Sequence, residues 1–360
     1  MTSQYLNRID AVRGKLDEWG VDALLIASDT NRRWLSGFTG TSGMLLVSKD
    51  IATLGTDSRY WEQARIEAPD FSLDRLKGGM KERLQTFLSR DSIVKIGIEP
   101  EHVTLAQLAL FKSVESVKYV EVEGAVNPMR EVKTAEEIEH LKAAAELTDL
   151  AMSQVGDLAE PGMTESELAW KLEQIMREAG AEGMAFPIIV ASGPNSALPH
   201  HTPGDRKLQH GEPLIVDMGA RVNGYCGDLT RSFFTGGGPD DKFDEIYNIV
   251  LEAQVAAITG IKAGMMGNEA DALARDIISE AGYGEEFGHS LGHGVGLDIH
   301  EGPGVSSLTV DHRLPDQSAV TIEPGIYIVG WGGVRIEDLV LVTASGCDYL
   351  STCKKEPYIG

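Results

Sequence analysis

Cysteine is scarce in this chain, with three residues, Cys226, Cys347 and Cys353, in 360. An odd number with no Cys-x-x-Cys pair excludes a disulfide framework and points to a reducing, cytoplasmic compartment. Basic residues are also short. Lys and Arg number 32 against 55 Asp and Glu, a formal charge of −23. That balance argues against nucleic acid and against an anionic membrane surface as partners. No apolar run approaches the ~20 residues of a membrane span. The opening Met1-Thr-Ser-Gln-Tyr-Leu-Asn-Arg-Ile-Asp10 has no signal-peptide core. What remains is a 42% hydrophobic chain, long enough for one large or two ordinary domains.

Residues 1–123 alternate strand-like and helix-like segments. Arg8–Trp19 carries Ile9, Val12 and Leu16 at helical spacing and stops at Gly20. Val21–Ala27, Gly43–Val47, Ile51–Leu54 and Ile93–Ile98 read as strands. Ser58–Ala68 and Val103–Phe111 read as helices between them. This predicts an α/β domain over residues 1–124. The Gly-rich run 37–43 is not followed by Gly-Lys-Ser/Thr, so it reads as an ordinary loop and not a phosphate cradle. Gly124–Lys133 contains Asn127-Pro128 and no apolar period, which places a boundary there and a second domain over 125–360.

The second domain opens with a capping box, Thr134-Ala-Glu-Glu137, and a helix expected to run to about Gly156. Ile138, Leu141, Ala145, Thr148 and Met152 form its apolar stripe. A second capping box, Thr164-Glu-Ser-Glu167, starts a helix that stops at Gly180. That helix recurs 102 residues on. Gly162-Met163, Glu167, Ile175 and Glu178-Ala179-Gly180 match Gly264-Met265, Glu269, Ile277 and Glu280-Ala281-Gly282. The pattern predicts two related halves, with a site between them lined by strands from both.

Val216 to Arg231 carries the first chemistry. Asn223-Gly224 is a strong signal for a two-residue type I′ turn. Centring the turn there pairs Val222 with Tyr225, Ala220 with Gly227, Gly219 with Asp228 and Asp217 with Thr230. Asp217 and Asp228 then share one face as diagonal neighbours, roughly 7–8 Å apart. Two such carboxylates repel unless one is protonated or a cation lies between them. Taken alone, the hairpin reads equally well as a solvated turn with two surface acids.

Further acids and histidines follow. Gly288–Glu301 holds His289, His293 and His300 in a glycine-rich apolar setting that disfavours a helix. Glu323 and Glu337 lie in apolar strand-like runs on either side of a loop centred near Gly330, which sets them opposite each other. Arg335 shares the face of Glu337, and Asp338 points away. Acids in runs this apolar need pairing or a metal. In the set Asp217, Asp228, His293, Glu323 and Glu337, the four carboxylates offset two divalent cations. Oxygen ligands with one imidazole suit Mn²⁺, and also Co²⁺, Fe²⁺ or Zn²⁺.

Four motifs carry a resemblance: Asp217-Met-Gly-Ala220 with Gly227-Asp-Leu-Thr-Arg231, the run His289 to Glu301, Glu323-Pro-Gly-Ile-Tyr327, and Val334-Arg-Ile-Glu-Asp338. The chain resembles the pita-bread metallopeptidases, which include aminopeptidase P, prolidase and methionine aminopeptidase. Residues 34–40 and 56–60 are similar to the creatinase/prolidase N-terminal domain, which methionine aminopeptidases lack. The resemblance implies an α/β N-terminal domain, an α+β pita-bread catalytic domain with pseudo-two-fold repeat, and a homodimer.

It also implies roles. Asp217 would chelate one metal, Asp228 and Glu337 would bridge both, and His293 and Glu323 would complete the other. Glu323 would shuttle the proton of a metal-bridging hydroxide. His200 would steady the oxyanion, with His201 the competing assignment. His289 and His300 would contact the substrate, and Arg335 would orient Glu337 or the substrate. Prolidases carry Arg where this chain has Gly304. The expected activity is therefore Xaa-Pro aminopeptidase on proline-containing peptides, with Xaa-Pro dipeptidase as the alternative. A non-catalytic peptide-binding protein, or a metal-independent relative like creatinase, is the reading from another class.

Overall fold

The apolar runs of the first third of the chain become the inner strands of a six-stranded sheet. The structure is a computed structural model that describes residues 3–90, 92–236 and 238–359. Contacts divide it into two units, Met1–Met129 and Arg130–Gly360. In the first, the sheet order is Ser72–Arg75, Ala52–Thr56, Met44–Ser48, Ala23–Ile26, Lys95–Ile98, Lys118–Glu121. The four inner strands are the four expected from sequence. The two outer strands escaped that reading because their residues are half-buried or exposed and carry no apolar alternation. The helix Asp29–Ser36 also escaped it. Its Ser28 cap and Gly37 stop are ordinary signals, but its first turn holds no apolar residue to set a period.

In the second unit both capping boxes close. The hydroxyls of Thr134 and Thr164 accept the N–H groups of Glu137 and Glu167, whose carboxylates reach back. The first helix is Ala135–Met152, and its whole expected stripe is buried. It ends short of Gly156, and a separate turn of helix, Val155–Leu158, follows. The stretch expected to be irregular holds a short helix, Asn127–Glu131. Pro128 sits in its first turn, where a missing N–H has no partner to lose.

The repeat is structural as well as sequential. Helices Glu165–Glu178 and Gly267–Glu280 are both 14 residues long. They bury the same four positions: Glu165, Leu168, Leu172 and Met176 in one, Gly267, Ala270, Ala274 and Ile278 in the other. Each packs into its own core. The first core holds Val190, Leu214, Val216 and Leu229, and the second Leu291, Val320, Val334 and Val340. Three antiparallel strands serve each half: Ile189–Ser192, Pro213–Met218 and Leu229–Thr235 in the first, Gly292–Gly294, Ser318–Ile322 and Asp338–Thr343 in the second. This is the pita-bread arrangement.

One seam between the halves carries a cluster of hydrogen bonds. Glu337 donates its N–H to the Thr230 carbonyl at 3.1 Å. The Ser232 hydroxyl accepts the Arg335 N–H at 2.9 Å and donates to the Arg335 carbonyl at 2.8 Å. Arg231, 2% exposed, donates to the carbonyls of Thr230 and Glu337 and to Asp338 Oδ1 at 2.7 Å. Breaking a buried pair from one side leaves a desolvated charge behind. Arg231→Met is therefore expected to lower the unfolding free energy by about 3–5 kcal/mol, read by denaturant titration. A loss below about 1 kcal/mol would show that Lys355 and Gln254, the other partners of Asp338, suffice.

Candidate metal centre and active site

Two hairpins bring the acids together. Asn223 and Gly224 have φ of 48° and 80°, so the type I′ turn forms where the sequence places it. Asp217 faces Thr230, and Met218 faces Leu229. Gly219 admits no side chain: a Cβ there would lie 1.9 Å from the Gly227 carbonyl oxygen. In the second half Ile322 pairs with Asp338 and Gly325 with Arg335. Glu323 and Glu337 therefore stand opposite each other about Gly330. Ligand atoms of Asp217, Asp228 and Glu337 lie within 4.8 Å of one another.

His293 joins them from Gly292–Gly294. Its Nδ1–H donates to the Gly294 carbonyl at 3.1 Å, which leaves Nε2 as a lone pair. That nitrogen lies 3.4 Å from Glu323 Oε1 and 3.6 Å from Asp228 Oδ2. The Thr321 hydroxyl accepts the His293 N–H at 3.0 Å and donates to Glu323 at 3.1 Å. One side chain thus sets both.

The electrostatics describe a site short of positive charge. Burial first, then repulsion from Glu337, Asp217 and Glu323, drives the Asp228 carboxyl well above the usual range. Burial and the charges of Glu323 and Asp217 do the same to Glu337. Burial lifts Glu323 to about 7 against the pull of Arg335. Asp217 Oδ1 is buried without a hydrogen-bond partner among the described residues. An orphaned carboxylate oxygen inside a ring of acids is what a divalent cation satisfies, so these residues fit a metal centre.

All nine residues singled out from sequence line one cavity of about 420 Å³: the five ligands plus His200, His289, His300 and Arg335. Phe186, Ile189 and Ile299 supply apolar wall.

Residues 139–344 match the model of Metallopeptidase family M24, and residues 8–132 match the Creatinase/Prolidase N-terminal domain. The chain is an M24 metallopeptidase. It is 38% identical to a Xaa-Pro dipeptidase of Pyrococcus furiosus, over 97% of this chain and 99% of that one. Among solved structures it matches a Xaa-Pro dipeptidase from Bacillus anthracis, with TM-score 0.96, 42% identity and coverage of 99% and 100%. It also matches an X-Pro aminopeptidase from Thermotoga maritima, with TM-score 0.88, 40% identity and coverage of 95% and 98%. No helix among the described residues is long and apolar enough to cross a membrane.

Tertiary contacts refine several roles in this metallopeptidase. Arg335 was expected to orient Glu337 or the substrate. Its Nη2 donates to Asp217 Oδ2 at 2.7 Å. It is linked to Glu337 through Thr230, whose hydroxyl accepts from Arg335 Nε at 3.1 Å and donates to Glu337 Oε2 at 2.6 Å. His289, expected to contact the substrate, lines the cavity with both nitrogens hydrogen-bonded. Nδ1–H donates to the Ser290 carbonyl at 2.8 Å, so Nε2 accepts from the Tyr327 hydroxyl at 2.9 Å. Arg335 in turn donates to that hydroxyl at 2.8 Å. Burial, then Arg335, pushes His289 down to about 4, which keeps it neutral. Burial also lowers His293 and His300. Tyr327 was quoted within a motif but given no role, although alternation from Glu323 puts it on the same face.

His200 and His201 both line the cavity but differ in their partners. His201 Nε2 lies 2.8 Å from the fully buried Glu165. Glu165 also accepts from Ser192, Asn195 and Gly204. His200 is exposed at the cavity and has no hydrogen-bond partner among the described residues. Glu165 was missed because its sequence setting is an ordinary first helical turn. In the other half, Asp271 and Arg275 hold the loop of His289: Asp271 accepts the Leu291 N–H at 3.0 Å, and Arg275 donates to the His289 carbonyl at 2.7 Å.

Proposed function

We propose that this metallopeptidase hydrolyses Xaa-Pro bonds and acts as an Xaa-Pro dipeptidase. The observation that carries the reading is the single cavity joining the acids, His293 and an unpartnered His200. Full-length similarity to proteins named Xaa-Pro dipeptidase supports the dipeptidase choice. The aminopeptidase expectation rested on Gly304, which does not line the cavity. A Cβ there would lie 3.0 Å from Thr309 Oγ1. Aminopeptidase activity stays as the second reading because of the similarity to the Thermotoga maritima protein.

Asp217, Asp228, His293, Glu323 and Glu337 would hold two divalent ions, Mn²⁺ first, with Co²⁺, Zn²⁺ or Fe²⁺ able to substitute. Bound there, such ions polarise a carbonyl and lower the pKa of water. The protein does the rest. His200, with a free ring nitrogen, would donate to the developing oxyanion. Glu323 would carry the proton of the attacking water to the leaving nitrogen. Proline makes that transfer decisive, because its tertiary amide has no N–H of its own. Phe186, Ile189 and Ile299 would pack against the ring. Arg335 and Thr230 would hold Asp217 and Glu337 in place.

Metal-stripped protein is expected to regain cleavage of an Xaa-Pro dipeptide when Mn²⁺ is added. Release of the first residue only from an Xaa-Pro-Xaa tripeptide would move the assignment to aminopeptidase. No metal-dependent cleavage of either would favour a non-catalytic peptide-binding protein. The homodimer is tested by light scattering of the intact chain. Three free thiols and the acidic charge support a cytoplasmic setting away from nucleic acid and anionic membranes.

A further inference from the structure

His300 sits on the cavity rim with its ring centroid 4.2 Å from that of His293. It ends a loop of bends, 296–300, with little regular hydrogen bonding of its own. The loop is gripped from outside the cavity. Glu301 folds beneath it, where its Oε2 meets the Arg130 guanidinium and its Oε1 meets Lys133 Nζ at 2.5 Å. Arg130 also holds Asp298 Oδ2 at 2.8 Å. Lys133 donates in addition to the Arg130 carbonyl at 2.7 Å. Gly296 makes room: a Cβ there would lie 2.3 Å from Glu301 Oε1.

Arg130 and Lys133 are 4% and 3% exposed. Burying two cations against two acids is an expensive way to gain stability, and apolar packing of similar volume does as well or better. What an ion quartet supplies is one geometry, because each donor must meet its own acceptor. We propose that Arg130 and Lys133 are positioning residues that set His300 at the cavity rim by clamping Asp298 and Glu301. A displacement of the order of 1 Å in a substrate-positioning group costs about 100-fold in rate. The clamp thus acts on turnover without touching a metal ligand.

Two variants test this, Lys133→Met and Glu301→Gln, the second removing the charge at nearly constant volume should the first fail to fold. Both are expected to keep the wild-type metal content and to lose about 10- to 100-fold in kcat/KM on an Xaa-Pro substrate. In a His300→Ala background the same changes are expected to add less than about twofold, because they act through His300. The kinetic readout rests on the Xaa-Pro reading, and a spectroscopic one does not. In Zn²⁺-loaded protein, ring C–H resonances of His300, identified by their loss in His300→Ala, should move in Glu301→Gln while those of His289 stay. Unmoved His300 resonances, or full additivity with His300→Ala, would overturn the inference. Wild-type protein inactive on Xaa-Pro peptides would refute the proposed function and leave the resonance test standing.

Discussion

Asp228→Asn is expected to abolish turnover and metal binding together, and to relieve the metal-free protein. Asp228 is 5% exposed, and its ligand oxygen shares a 4.8 Å neighbourhood with Asp217 and Glu337. Losing a partner that only orients a ligand already costs 10–100-fold in metal affinity. Losing a carboxylate that would itself hold the metal should cost more than ~100-fold. Without metal the balance reverses. Burial and the charges of Glu337, Asp217 and Glu323 oppose ionisation of Asp228. Asn keeps the volume and removes the repulsion. The variant should therefore melt below wild type when both are scanned with excess metal, which only wild type binds, and above it after chelation at pH 8. Metal analysis, activity and calorimetry on one preparation check all three outcomes. Retained activity with bound metal would sink the ligand assignment.

The metal-stripped protein is expected to lose stability as pH rises above about 6.5, where most proteins change little. The acids and the histidines set the sign. Glu323 moves from 4.5 to about 7 on folding, with burial the main cause. Asp228 and Glu337 are raised well above their ordinary values for the same reason. A carboxyl whose folded pKa is raised keeps its proton where the unfolded chain has lost it. Stability then falls with pH from the unfolded value up to the folded one.

His289 acts in the opposite sense. Burial takes it from 6.5 to about 4, so it loses stability as pH drops through that window. Lowered His293 and His300 add to that loss. Between pH 4.5 and 6.5 the two sets oppose each other. Above 6.5 the histidines are silent and the acids remain, each contributing at most about 1.4 kcal/mol per pH unit. Metal binding needs the ionised carboxylates, so the gap in melting temperature between loaded and stripped protein should widen from pH 6.5 to 8. Calorimetry with and without chelator reads it directly. A gap that narrows over that range would contradict the buried-acid account.

The expected site was legible because its ligands lie in local patterns. A positive-φ turn at Asn223-Gly224 sets a two-residue period, and that period puts Asp217 and Asp228 on one face. The same arithmetic about Gly330 opposes Glu323 and Glu337. Capping boxes are legible for a similar reason, since both partners lie within one helical turn. The outer strands Ser72–Arg75 and Lys118–Glu121 were not, because edge strands bury too little to impose alternation. The preference for aminopeptidase also came from local reading: a missing arginine at 304 was given weight that the cavity does not support.

The acids and imidazoles, the turn that registers each hairpin, and the duplication that sets one half against the other are all written in the linear chain. These are matters of backbone period and helix capping, which act over a few residues. Which side chain holds which was decided only in three dimensions. Arg335 meets Asp217 across 118 residues, Lys133 meets Glu301 across 168, and Glu165 claims His201 across 36 and leaves His200 without a partner among the described residues. The physical reason is burial. A charged or polar group shut away from water must find whatever partner packing brings to it, and packing joins residues without regard to their separation along the chain.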